Sequence, residues 1–228
     1  MSMTTPLDET IPLHLLRLVS PSLPVGAFSY SRGLEYAAEA GWVHDEPSAR
    51  IWIHGTLENS FAVLDGALFW RMSEALARDD AEAFLHADAW LSAGRESREL
   101  QLEDRRMGEA LLRLLADLEV PQAQLYLGRP LTYPAAFAIA AHHWNVSPAA
   151  ALKGLMWTIA EGQVAALLRL VKLGHTAGQR ILIDAVPVIE RAVATARSLE
   201  DDEIGNVSVA MAMASAWHET QYSRLFRS

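Results

Sequence analysis

Cysteine is absent from this 228-residue chain. That excludes disulfides, thiolate metal ligands and a cysteine nucleophile, and it fits a reducing compartment such as the cytoplasm. Lysine is scarce. Only Lys153 and Lys172 stand among the nineteen basic residues, and the arginines are interleaved with acids, as in GRESRELQLEDRR. The formal net charge is −9. Without clustered cations to displace counterions, no nucleic acid partner is expected. No run of about 18 apolar residues lacks a polar break, so no membrane span is expected. The opening MSMTTPLDETIP has no basic or apolar signal region, so no secretory leader is expected either. Alternating strand patterns, hairpin signals and internal repeats are missing. So are the loops GxxxxGK[ST], GxGxxG and GxSxG and the zinc signature HExxH, which lowers the expectation of catalysis without excluding it.

What is present is helical. Hydrophobic residues make up 51% of the chain, enough for a sizeable core. Leu13, Leu16 and Val19 recur at helical spacing and stop before Pro21. SYSRGLEYAAEAG reads as a second helix, with Ser29 or Ser31 as its cap and Gly41 as its stop. A long helix opens at Asp45 and Pro47 and carries Leu57, Phe61, Leu64, Leu68 and Met72 to about Arg78. Two more follow. One ends near Gly94, and the next has Met107, Leu111, Leu114, Leu115 and Leu118 on one face. The link over 120–133 is broken by prolines and is a candidate boundary between subdomains. Beyond it, AAFAIAAHHWNV and SPAAALKGLMWTIAEGQVAALLRLVKLG are apolar enough to be buried helices. HTAGQ reads as a turn, residues 180–199 as a helix kinked at Pro187, and LEDDEIGN as an acidic linker. Ile204, Val207, Met211, Ala214 and His218 form a last amphipathic stripe. The expected fold is all-α: one domain over 1–228, a bundle of roughly eight to ten helices with kinked and short connecting helices.

Three places invite a metal. His54, Glu58 and Asp65 are spaced by four and seven, so an α-helix puts them on one face. The competing reading is hydrogen bonding at the edge of the core, because no second helix supplies further ligands. His142 and His143 are adjacent and point about 100° apart on a helix, so they rarely serve one ion. His175 follows an apolar helix in a glycine turn, where capping that helix is the simpler role.

Three others suit protein contacts. SPSLPVGAFSYSRGLE, residues 20–35, combines Pro21, Pro24 and Gly26 with Val25, Phe28 and Tyr30. Such a stiff loop loses little entropy on docking, though it also serves as a pinned helix connector. GRESREL offers Arg95, Glu96, Arg98 and Glu99, as a solvated helix start or as a surface that sets docking register. Chain ends usually fray, yet HETQYSRLFRS keeps Tyr222, Leu225 and Phe226 beside Arg224 and Arg227, the residue types of binding hot spots.

SPSLPVGAFSYSRGLE, RESREL, Gly178-Gln179 and HETQYSRLFRS together resemble the urease accessory protein UreF family, in order and over nearly the whole chain, from about Leu15 to Ser228. The resemblance implies a non-catalytic helical dimer that takes part in assembling the nickel centre of urease. Its implied partners are the accessory protein UreD (also called UreH), the GTPase UreG and apo-urease. Nickel delivery is then coupled to GTP hydrolysis, with nickel at most in transit and no resident cofactor. Carried over, it makes 218–228 an arm that orders or reorganises on binding UreD. The implied partner-binding residues are Pro24, Gly26, Tyr30, Gly33, Glu35, Arg95, Glu96, Arg98, Glu99, Gly178, Gln179, His218, Gln221, Tyr222, Arg224, Leu225 and Phe226. The turn GHTAGQ departs from the family, which has a proline and leucine before the glycine. Arg224, in an apolar tail, needs acceptors, and Gln179 with nearby carbonyls is the expected source. Two other classes stay open: a helical metal-binding protein or metallochaperone using His54, Glu58 and Asp65, and a GTPase-activating protein with Arg95 or Arg98 as an arginine finger.

Overall fold

Helix starts in this chain carry their own caps. Asp45 and Ser48 form a reciprocal capping box, and Asp80, Ser97, Thr132 and Ser147 each accept a hydrogen bond from the backbone three residues on. Pro47, Pro121, Pro134 and Pro148 fall in first turns, where an absent N–H costs nothing. The computed structural model describes residues 12–205 and 208–228. The opening segment and Val207 lie outside the described residues.

Eleven α-helices are found there: α1 (Leu13–Leu18), α2 (Leu34–Glu39), α3 (Glu46–Thr56), α4 (Ala67–Ala77), α5 (Ala81–Ala93), α6 (Arg98–Asp117), α7 (Pro121–Tyr126), α8 (Tyr133–His143), α9 (Pro148–Leu170), α10 (His175–Ser198) and α11 (Val209–His218). Leu57–Gly66 joins α3 to α4 as a π-helix, and short 3₁₀ turns sit at Ala27–Ser29 and Asp201–Glu203. Among the described residues there is no strand and no helix long and apolar enough to cross a membrane.

The alanine-rich α8 is buried on all sides, from Tyr133 to Ala141, and packs against α4, α6 and α9. One apolar core runs from Leu18 to Phe226 and includes α7. The link over 120–133 therefore holds a short helix packed on that core rather than a boundary between subdomains.

Local expectations differ from the structure in three places. The second helix begins at Leu34, with Gly33 as N-cap in the left-handed region (φ 78°). A Cβ on Gly33 would come within 2.9 Å of the Ser215 backbone nitrogen, so close packing of α11 sets the start. Ser31 still accepts from the Glu35 N–H, at 3.3 Å. HTAGQ is the first turn of α10, because Ala177 and Gly178 face inward. His175 thus opens α10 instead of closing α9. The helix α10 then continues through Pro187. Finally, the expected long helix is continuous from Glu46 to Ala77, but its middle is wound with i→i+5 bonding.

Asp88, on α5, ties down the approach to α8. Its Oδ1 accepts from the Thr132 N–H at 2.9 Å and from the Thr132 hydroxyl at 2.7 Å. Burial pushes the Asp88 carboxyl above its ordinary value, and the Thr132 hydrogen bonds only partly offset this. The folded state therefore holds the Asp88 proton more tightly than the unfolded state. The stability contributed by Asp88 rises as pH falls through the folded value toward 3.8. Asp88→Asn keeps the acceptor and removes the charge. Urea unfolding at pH 7.5 and pH 5 is expected to find the variant at least as stable as wild type at pH 7.5, with that advantage shrinking at pH 5.

Candidate partner-docking site

Helix α6 carries an apolar stripe through Met107, Leu111 and Leu115. Two turns earlier the same face holds Glu103 and Glu99, both buried, with Asp104 beside them. Buried carboxylates need partners. Every partner comes from one of the sequence stretches singled out above.

Arg32, in the link before α2, sits 2.6 Å from Glu103 and 3.7 Å from Asp104. Arg95, just before α6, bridges Asp104 at 2.5 Å and Asp65 of the π-helix at 2.5 and 3.0 Å. Burial works to lower the Arg95 pKa, but Asp104 and Asp65 outweigh it and raise it, so the guanidinium stays charged. Burial pushes the Glu103 carboxyl up, against the Arg32 charge and a hydrogen bond from Ser228.

His218 ends α11 with no exposed surface. Its Nδ1 lies 2.6 Å from Glu99 and its Nε2 3.0 Å from Glu35. An imidazole between two carboxylates satisfies both when both ring nitrogens carry hydrogen. Glu35, on α2, also accepts the backbone N–H groups of Leu225 at 2.6 Å and Phe226 at 2.8 Å. Arg224 donates to Glu99 at 2.7 Å. The Arg227 N–H donates to Ser29 O at 2.8 Å, and the Ser31 N–H to Ser228 O at 2.8 Å. The Ser228 hydroxyl closes the set on Glu103 at 2.7 Å. Phe226 is buried in the apolar core under the Arg169 guanidinium, 4.7 Å from the ring centroid. The tail is thus seated on its own domain within the single chain.

The sequence residues therefore divide. Glu35, Arg95, Glu99, His218, Arg224, Leu225 and Phe226 meet in one cluster, joined by Arg32, Ser31, Glu103, Asp104 and Ser228, which sequence reasoning missed. The missed signal was a pair of glutamates, four apart, extending an apolar stripe. Tyr30 is buried, and Gly26 (φ 75°) and Gly33 shape the strand of chain that receives the tail. Pro24 and Glu96 face solvent, and burial raises the Glu96 carboxyl modestly. Arg98 is exposed, and its N–H donates to Glu219 at 2.9 Å. Gln221 donates to Glu39, while Tyr222 and Leu225 project outward.

Gly178 and Gln179 lie elsewhere. Gly178 packs its bare Cα on Val164 and Leu168 of α9, and Gln179 is exposed on α10. The expected Arg224–Gln179 contact is not made, because Glu99 offers a charged acceptor nearer the tail. Arg95 is buried and its Nε, Nη1 and Nη2 each donate to Asp104 or Asp65, so it is not presented at the surface as an arginine finger.

The metal candidates have separate partners. His54 bonds Ile181 O at 3.0 Å, Glu58 pairs with Arg191 at 2.8 Å, and Asp65 belongs to Arg95. The looser π winding between Glu58 and Asp65 carries Asp65 off the face that α-helical spacing implied. Among the described residues no group of three His, Asp or Glu stands ready to hold an ion. His143 packs edge-on to Trp144.

Two consequences are testable. Arg95→Ala leaves Asp65 buried without its cation and Asp104 with only the longer Arg32 contact, and is expected to cost about 3–5 kcal/mol of unfolding free energy in urea titrations. Glu35→Ala releases the Leu225 and Phe226 amides. Tryptic cleavage after Arg224 is expected to speed up about tenfold or more while the core stays folded, a local opening seen by mass spectrometry.

Comparison with known proteins gives a consistent result. The family model described as UreF matches residues 43–186. The urease accessory protein UreF 2 of Brucella anthropi is 63% identical over 217 residues, covering 95% of this chain and 96% of that protein. The urease accessory protein UreF of Alkalilimnicola ehrlichii is 43% identical, covering 94% and 95%. That of a Nostoc species is 39% identical over 228 residues, covering 99% of each.

Proposed function

The chain belongs to the urease accessory protein UreF family, and on that premise we propose that it is a non-catalytic scaffold of urease maturation. It acts as a homodimer that binds UreD (UreH), recruits the GTPase UreG and assists GTP-dependent nickel delivery to apo-urease. Its place of action is the cytoplasm, and it keeps no cofactor of its own.

One observation carries the reading. Three of the four stretches that resemble the family, 20–35, 95–100 and 218–228, lie far apart in the sequence and meet around Glu35, Glu99 and His218, while Gly178-Gln179 lies apart from them. The charged side chains of the cluster are paired with one another and with the tail, which supports a structural role for them. The cluster holds the tail rigidly while leaving Tyr222 fully exposed and Leu225 half-exposed. A preordered aromatic and aliphatic pair docks with little entropy loss. Those two residues are the proposed anchors, and Arg224 fixes their position through Glu99.

Size-exclusion co-purification with UreD, UreG and apo-urease tests this. The full-length chain is expected to bridge UreD to UreG, and the chain cut after Ala216 to bridge neither. Arg224→Ala is expected to leave the isolated chain folded and to weaken recruitment of both partners. Normal complexes with the cut chain or with Arg224→Ala contradict the scaffold reading.

A further inference from the structure

Beside the seated tail the surface is aromatic. Tyr36, on α2, has its ring 5.4 Å from Trp217 of α11 and 5.9 Å from Trp42. Trp42 in turn lies 5.9 Å from Trp217 and 6.5 Å from Trp52 of α3. Four rings thus form one group, and it is not closed over: Trp42 is 40% exposed and Trp217 42% exposed. Aromatic rings in a core would be covered. Large, rigid, half-wet rings are instead the residues that dominate binding energy at protein interfaces.

The charge around the rings says what suits them. Glu39 stands one helical turn beyond Tyr36, is exposed, and accepts the neutral amide of Gln221. No ion pair to it is found among the described residues. On α3 the flanking cation Arg50 is committed to Glu46 at 2.8 Å and Asp184 at 3.2 Å. The π faces present partial negative charge, and the neighbouring carboxylate adds a full one.

We infer that this aromatic group with Glu39 is a docking surface for a basic segment of a partner protein, taking an arginine or lysine side chain against Trp42 and Trp217. The inference rests on the docking reading above and gives the partner surface its chemistry. A cation stacked on indole is favoured by about 0.5–2 kcal/mol, or roughly two- to thirtyfold in affinity.

The test uses the full-length chain and two labelled 12-residue probes, one alternating arginine with leucine and one alternating glutamate with leucine. Anisotropy is expected to detect the arginine probe at least tenfold more tightly than the glutamate probe. Trp42→Ala and Trp217→Ala are each expected to weaken the arginine probe at least threefold. Trp217→Phe should retain most of its binding, and thermal melts verify that each variant is folded. Equal affinity for both probes overturns the inference, since the surface is then merely apolar. Binding of neither probe overturns it too, as does concentration-dependent self-association abolished by Trp217→Ala without probe binding, which would assign the rings to a second copy of the chain. If wild type still assembles with UreD and UreG while the probes fail, only the aromatic inference falls. If those complexes never form, the docking reading falls first.

Discussion

Three carboxylates on one buried face of α6 are the constraint around which this molecule is arranged. Glu99, Glu103 and Asp104 are too deeply buried to be stable as isolated charges. Pairing them draws in Arg32 from the front of the chain, Arg95 from the helix entry and Arg224 from the end, with His218 hydrogen-bonded to Glu99. Once Arg32 is placed, Gly33 must turn left-handed and α2 must start where α11 allows. Once His218 is placed, Glu35 is left with acceptor capacity, and it takes the Leu225 and Phe226 amides. The position of the tail follows from charge compensation more than from its own apolar area.

This explains why the segments around the tail look so polar inside. A tail held only by Phe226 could slide. A tail whose backbone amides, arginine and serine each meet a fixed acceptor has one register. For the scaffold proposed above, register matters because Tyr222, Leu225 and the adjoining tryptophans would have to face a partner in a defined arrangement. Stability and presentation are thereby joined: the same glutamates that complete the interior also aim the surface.

Much of the helical layout was legible in the sequence. The cap at Asp45 and the stripe through Met107 and Leu111 are local signals, and local signals survive without tertiary context. The π-helix at Leu57–Gly66 was not legible, since i→i+5 winding leaves no mark in residue spacing. It misled the reading of His54, Glu58 and Asp65 as one face. Gly33 was read as an interior helix residue because its role depends on α11, far away in sequence. The residues of the docking cluster were legible through motif resemblance, but their connections were not. Nothing local pairs Glu99 with His218 or Arg32 with Glu103. The expected Gln179 acceptor for Arg224 failed for that reason. The contact between Ser31 and Ser228, which joins the front of the chain to its last residue, shows no signal short of the fold itself.

The most direct test of this account is amide hydrogen exchange at Leu225, Phe226 and Ser228 in the isolated, full-length chain at neutral pH. Marked protection of Leu225 and Phe226, comparable to the amides that close α11, is the result the account predicts. Exchange at unfolded-chain rates in the isolated chain would contradict it. The tail would then gain its order from a partner alone, and the buried carboxylates Glu35, Glu99 and Glu103 would not be what seats it.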